Sequence, residues 1–388
     1  MRILISTTNR HVPIDQPTGY LFVYDFNSNE IIRKCSIVEP PYLKENPNPR
    51  GGLRGLKGIS ILEDKIALVN SSTIFIYNST WEPITAIWHP SCASIHEIVM
   101  DKDVLWVTST DNDLLLCFSY AGNLLKYYDV RTFNNLIENT KWDSKPFLSP
   151  ETIMEGKFDF RDPRTHSSVD TDHAHVNSVV LMQNGDLLIS CGLLKNRNFS
   201  KLLDIKYWLL KQGMWQGLLI FNRYMRKTVF KKKKENSGEM LIQPAHGYSA
   251  VVKIDQNENI TTCLTYGSSS VPSHSARVLK DGTAIYLNSS KGEIIHFILE
   301  TGRVISTNTV GDNFLRGARQ LPDGTLILGD NNSFIHFDIE NNRILSKTKI
   351  TDETYSAIFD FCVLPDNFSL PPESFSKHHE SFMPIQQT

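Results

Sequence analysis

The 388-residue chain is predicted to be all-β, a six-bladed β-propeller, on three observations. An apolar strand, a short polar turn and a second apolar strand recur along its length. Two further strands usually follow, giving four-stranded units at a period near 42 residues, which marks a propeller. The two ends of the chain supply complementary parts of one such unit.

The elements bear this out in order. N-terminal strands at 2–6, 20–24 and 30–35 have no inner partner of their own. The first hairpin spans 59–69 with its turn at Glu63 and Asp64, and the second spans 98–107 with its turn at 101–103. Strands at 114–118 and 124–128 extend the second unit. Clearer hairpins follow at 180–190, 277–287 and 319–329, turning on Asn184-Gly185, Asp281-Gly282 and Asp323-Gly324. Glycine supplies the positive φ such turns need. A sixth inner strand at 357–364 reaches a turn at Pro365 with no second strand behind it. The N-terminal strands therefore complete the sixth blade, which removes exposed sheet edges. Seven blades stay open as a count if the longest insertion hides one.

Two spacings break the rhythm: 83 residues separate Asp101 from Asn184, and 97 separate Asn184 from Asp281. One domain over 1–388 is expected, with an inter-blade loop at 131–172, an insertion at 191–248 inside blade three, and a C-terminal tail at 367–388.

Composition excludes several classes. With 40% hydrophobic and 21% charged residues the chain is ordinary and globular,. The most apolar long stretch, 207–221, is interrupted by Lys211, Gln212 and Gln216 and falls short of the roughly 20 residues a membrane span needs. No secretory signal stands at the N-terminus, and the six scattered cysteines read as reduced thiols,. The expected compartment is the cytoplasm, with peripheral contact to the cytoplasmic membrane face open.

Counting back seven residues from each hairpin turn gives Lys57, Asn177, His274 and Arg316. Blade two gives His96 if its turn is one residue shorter, and blade six gives Phe359 beside Asp360. Five of these six positions are polar or cationic and should line one mouth of the central channel. Buried polar groups cost free energy unless paired, so a functional ring is expected. His173 and His175 precede Asn177, with His175 two residues toward the mouth. Arg50, Arg54, Arg277 and Arg319 accompany the ring, and Glu97 and Asp360 are its main acids. Arginine presents planar donors to sulfate, phosphate or carboxylate, and histidine serves as acid, base or nucleophile. The simplest reading is an anionic group held on the axis. Substrate contacts are expected from Lys57, Arg54, Asn177, Arg319 and His173. No cofactor is expected, although His96, His175 and His274 could converge on a divalent metal; the flanking arginines weigh against a cation there.

Two segments resemble the arylsulfotransferase-type propellers: Ser273-His274-Ser275-Ala276-Arg277 leading into the Asp281-Gly282 turn, and the His175 strand leading into Asn184-Gly185. The resemblance implies sulfuryl transfer between phenolic compounds through a sulfated histidine. On this sequence it implies His274 as nucleophile, Arg277 and Arg316 as oxyanion partners, and His96 or His175 as acid–base group. Ser275 stands where that family carries aspartate, and no export signal is visible.

Residues 195–235 hold twelve Lys or Arg against Asp204 and Glu235, a net +10 that leaves −12 on the rest of a chain of formal charge −2. Trp208 and Trp215 interleave with these cations, and Lys231, Lys232, Lys233 and Lys234 form a run. Lysines beside aromatics and aliphatics suit an interfacial segment on anionic lipid, and their confinement to one insertion disfavours nucleic acid. The expectation is a membrane-surface transferase acting on an anionic, amphiphilic or aromatic small molecule. A non-enzymatic scaffold docked to membrane or protein is the alternative, and a histidine-ligated metalloenzyme is a second.

Overall fold

Among the described residues of the computed structural model, runs of β-branched, leucine and aromatic residues form twenty-four strands. The structure describes residues 1–9, 12, 16–37, 55–144, 171–195, 247–268, 271–311, 314–353 and 355–375. The chain opens with β1 (Arg2–Asn9), β2 (Gly19–Asp25) and β3 (Glu30–Ile37). Blade one is β4 (Ile59–Leu62), β5 (Lys65–Val69), β6 (Ile74–Asn78) and β7 (Pro83–Ile87). Blade two is β8 (Ile95–Met100), β9 (Val104–Ser109), β10 (Leu114–Ser119) and β11 (Leu124–Asp129). A helix, α1 (Asn134–Thr140), leads to blade three: β12 (Val176–Leu181), β13 (Leu187–Leu194), β14 (Gly247–Ile254) and β15 (Ile260–Ser268). Blade four is β16 (His274–Val278), β17 (Ala284–Asn288), β18 (Glu293–Phe297) and β19 (Val304–Thr309). Blade five is β20 (Leu315–Gln320), β21 (Leu326–Asp330), β22 (Ser333–Asp338) and β23 (Arg343–Lys349), and β24 (Ser356–Leu364) ends the series.

Each blade is a four-stranded antiparallel sheet, and the sixth has the order β24-β1-β2-β3. Both ends of the chain thus meet in one blade, with Arg2 opposite Leu364 and Ser6 opposite Asp360. The six-bladed propeller expected from the hairpin period is what the chain forms.

Middle strands are sandwiched between neighbouring blades and are mostly buried, at every position in β21, whereas the outermost strands β19 and β23 are largely exposed. The core falls into six clusters, one at each junction between adjacent blades. At these sites each fully buried leucine, isoleucine or phenylalanine contributes about 1.5–3 kcal/mol.

The connection at 131–172 carries more structure than a polar loop. Phe133 and Leu136 of the α1 region and Trp142 behind it pack into the junction of blades two and three. The insertion begins later than 191, because β13 runs to Leu194, and chain is described again from Gly247. Trp208, Trp215 and Lys231 to Lys234 lie outside the described residues, as do Arg50, Arg54 and residues 376–388. The described start of the C-terminal tail straps blades six and one together. Phe375 is buried against Tyr77 and Trp81, the Trp81 indole donates to the Ser369 carbonyl, and Ser36 bridges Ser374.

Candidate functional site on the propeller axis

The inner strands β4, β8, β12, β16, β20 and β24 pack side by side around the axis. Their first residues are not regular strand. Bulges fall between Ile95 and Ile98, Val176 and Ser178, His274 and Arg277, and Arg316 and Ala318. A bulge re-aims side chains that strict alternation would send into the blade. In blades four and five the bulge places Ser275 at φ 57° and Gly317 at φ 65°. Gly317 has a second reason to lack a side chain: a Cβ there would lie 2.8 Å from the Phe359 carbonyl oxygen of the next blade.

One side chain from every blade gathers at this level. The His96 ring lies 5.1 Å from His175, 6.0 Å from His274 and 5.1 Å from Phe359, and His175 lies 5.6 Å from His274. The Arg316 guanidinium sits 5.0 Å from the Phe359 ring and 4.5 Å from Phe314, and Lys57 Nζ lies 5.7 Å from Phe359 while donating to Ser94. The residues are Lys57, His96, His175, His274, Arg316 and Phe359, in blade order. Blade three delivers His175 rather than Asn177. Asn177 turns instead to its neighbours, donating to the Ser273 carbonyl and accepting from Ser190.

His175 arrives there through its backbone. It has φ 52°, a left-handed conformation that only a few per cent of non-glycine residues adopt, histidine more readily than most. Asp113, in the turn between β9 and β10, holds it: Oδ1 accepts from the Ala174 and His175 amides and Oδ2 from the His173 amide, all at 2.9–3.1 Å. The other side is tied by Gly192 and Lys195 amides donating to the His175 and His173 carbonyls.

Hydrogen bonds fix two of the three imidazole tautomers. His175 Nδ1 lies 2.7 Å from Asp172 Oδ2; a carboxylate only accepts, so Nδ1 carries the proton. Ser289 donates its hydroxyl to the Leu315 carbonyl and lies 2.8 Å from His274 Nδ1, so that Nδ1 also donates. In the neutral form of either ring, Nε2 is then the nitrogen that bears the lone pair. Burial works against the Asp172 charge, but His175 and Lys195 outweigh it and hold the carboxyl below its ordinary value. Burial also drives His96 well below its ordinary value, helped by Lys57, His175, Arg316 and His274. The His96 ring is therefore neutral at physiological pH. One nitrogen from each of the three rings lies within 4.8 Å of the others.

A second layer sits beneath the first along the chain. Arg277 donates to both carboxylate oxygens of Glu97 at 2.8 and 2.9 Å and to Asp360 at 3.3 Å, joining blades two, four and six. Its Nε donates to the Ala318 carbonyl. Glu97 in turn accepts from the Val179 amide and Asp360 from the Ile59 amide. Burial is the largest influence on Glu97 and lifts its carboxyl to about 7; Arg277 pulls the other way, and Asp360 adds to the rise.

Of the residues singled out from sequence, the structure brings together His96, His175, His274, Lys57 and Arg316. Arg277 differs from its expected substrate-facing place, because the guanidinium is spent on two carboxylates and two carbonyls. Arg319 donates to the Phe361 carbonyl, the same inter-blade tie one repeat later. His173 is buried, and its own amide is held in the Asp113 clamp. Sequence reasoning passed over Asp172, Ser289 and Asp113, which act through backbone turns and partners up to 62 residues away. Asp172, three residues before His175, was the one with a local signal.

No known family profile and no curated protein matches the chain. Solved structures do, at the level of fold. It is similar to a structure of a nidogen/laminin complex and to a protein of unknown function from Bacteroides caccae, each at 9% identity and TM-score 0.51 over 93% of this chain and 97% of the other. A virginiamycin B lyase from Staphylococcus aureus solved with quinupristin aligns at 11% identity and TM-score 0.44, over 77% of this chain and 71% of that one. At 9% identity the two likenesses of TM-score 0.51 bear on the fold alone, and agree with the six four-stranded blades. Among the described residues no helix is long and apolar enough to cross a membrane.

Proposed function

We propose that the chain is an enzyme whose axial pocket binds an anionic substrate and transfers its anionic group. The observation that carries this reading is the convergence of three imidazoles with Lys57 and Arg316, one from each of five blades, on a single point of the axis. Lys57 and Arg316 supply positive charge for the oxygens of a sulfate, phosphate or carboxylate. Phe359 and Phe314 offer aromatic faces to the organic part. Because Ser289 holds the Nδ1 proton of His274, Nε2 presents the lone pair that the resemblance to arylsulfotransferase-type propellers would use as nucleophile. In that route the Nε2–S bond forms as the S–O bond to the phenol breaks. In its imidazolium form His175, whose Nδ1 proton stays hydrogen-bonded to Asp172, would give its Nε2 proton to the leaving oxygen, and an acceptor phenol reverses both steps,. A second reading shares the pocket and is favoured by the crowding of the rings: the three imidazoles act through one metal ion.

The test is turnover of 4-nitrophenyl sulfate and 4-nitrophenyl phosphate with a phenol acceptor, followed by nitrophenolate release. Lys57→Met and Arg316→Met should each raise KM at least tenfold, and His274→Gln should abolish turnover. Equal turnover by wild type and all three variants would place the chemistry elsewhere. No turnover and no protection by sulfate or phosphate in wild type would leave a binding propeller.

A further inference from the structure

We infer that His96, His175 and His274 are the ligands of a divalent transition-metal ion on the propeller axis, with Asp172 and Ser289 orienting two of them. This deepens the axial-pocket reading and rests on that pocket being the working site. It does not depend on which group is transferred.

Three arguments carry it. The first is donor chemistry. Imidazole nitrogen suits zinc, iron, nickel and copper ions, and three protein ligands with one position left for water or substrate is the pattern of catalytic zinc sites. The nitrogens lie within 4.8 Å of one another, so bonds of about 2.1 Å require each side chain to close in by less than about an ångström.

The second is the shell behind the rings. Metal-bound histidines characteristically donate their other ring nitrogen to a carboxylate or another acceptor, which fixes tautomer and orientation. His175 does so to Asp172 at 2.7 Å, and His274 to Ser289 at 2.8 Å. Lys195 in turn pins Asp172, from which Nζ is 3.4 Å away. His175 Nε2 and His96 Nδ1 are buried and have no hydrogen-bond partner among the described residues. Such atoms in a packed interior call for an occupant.

The third is charge. On sequence, flanking arginines argue against a cation here. In the structure Arg277 is neutralised by Glu97 and Asp360, and Arg319 bonds a backbone carbonyl. Lys57 and Arg316 stand near the rings, each close to Phe359, and their charge is compatible with an anionic co-ligand on the metal.

The ion would act as Lewis acid or would lower the pKa of bound water, in place of a covalent bond to His274. The experiment uses full-length protein freed of any affinity tag, stripped with chelator, then titrated separately with zinc and with cobalt(II). One ion per chain is expected, and cobalt(II) should develop the visible absorption of a tetrahedral or five-coordinate site. His96→Gln, His175→Gln and His274→Gln should each weaken binding at least a hundredfold. Asp172→Asn should weaken it about 10–100-fold. His336→Gln, in the outer part of blade five, should leave it unchanged and control for folding. Sub-stoichiometric binding, equal binding by the triad variants, or a sulfuryl adduct on His274 of metal-stripped protein would overturn the assignment. The titration needs no substrate, so its failure is distinct from failure of the turnover assay.

Discussion

His274 and Arg277 stand three residues apart on one inner strand and do opposite work. His274 faces the pocket with its tautomer set by Ser289, whereas Arg277 neutralises Glu97 and Asp360 below it. Removing one partner of such a buried group leaves uncompensated charge and costs about 3–5 kcal/mol. Arg277→Met should therefore lower the unfolding free energy by that much in urea titrations, and adding Glu97→Gln and Asp360→Asn should recover a large part. A loss below about 1 kcal/mol would show that Arg277 is not the tie described. At this scale the sequence was legible in residue type more than in role. Counting from hairpin turns found five of the six ring residues. It named Asn177 as the blade-three member, because the positive φ of His175 and the Asp113 clamp depend on a contact 62 residues away. Nor does spacing distinguish a guanidinium facing solvent from one closing on two carboxylates.

Hairpins are the elements the sequence displayed most openly. Asp281-Gly282-Thr283 and Asp323-Gly324-Thr325 form the same turn: the glycine has φ 84° or 92°, and the aspartate accepts from the threonine amide and hydroxyl. Each threonine oxygen then meets a histidine on the third strand, His296 at 2.7 Å and His336 at 2.8 Å. Since the hydroxyl proton is committed to aspartate, Nε2 of each ring donates. Burial holds both histidines below their ordinary value, against the opposing pull of Asp281 on His296 and of Asp323 and Asp338 on His336. The unfolded chain therefore binds more protons as pH falls through about 6.5, and the stability these two groups give at neutral pH is lost on acidification. His296→Gln with His336→Gln should flatten the urea midpoint between pH 7 and pH 5 relative to wild type; an unchanged slope would contradict this. Less legible were α1 and the strap ending at Phe375. Each is short, with too few residues to show a period, and each is fixed by packing between blades rather than by local preference.

Closure from both termini makes the whole molecule a ring, and the ring makes the site. The pocket layer takes one side chain from each of six blades, so no local stretch of chain contains it. That explains why the blade count and terminal pairing could be read from sequence while the site's geometry required the assembled circle. Charge behaves likewise: a near-neutral total conceals a +10 segment at 195–235, and it conceals a paired Arg277 beneath imidazoles. The central claim is that three imidazoles share one working point on the axis. Long-range 1H–15N spectra of histidine-labelled protein, recorded during zinc titration, test it most directly. The account predicts that three of the twelve histidines respond together at one equivalent of zinc. His175 and His274 should already be in the Nδ1–H form before zinc is added, and the responding signals should be those lost in His96→Gln, His175→Gln and His274→Gln. Zinc shifts confined to other histidines, with the triad unmoved or in the Nε2–H form, would contradict it.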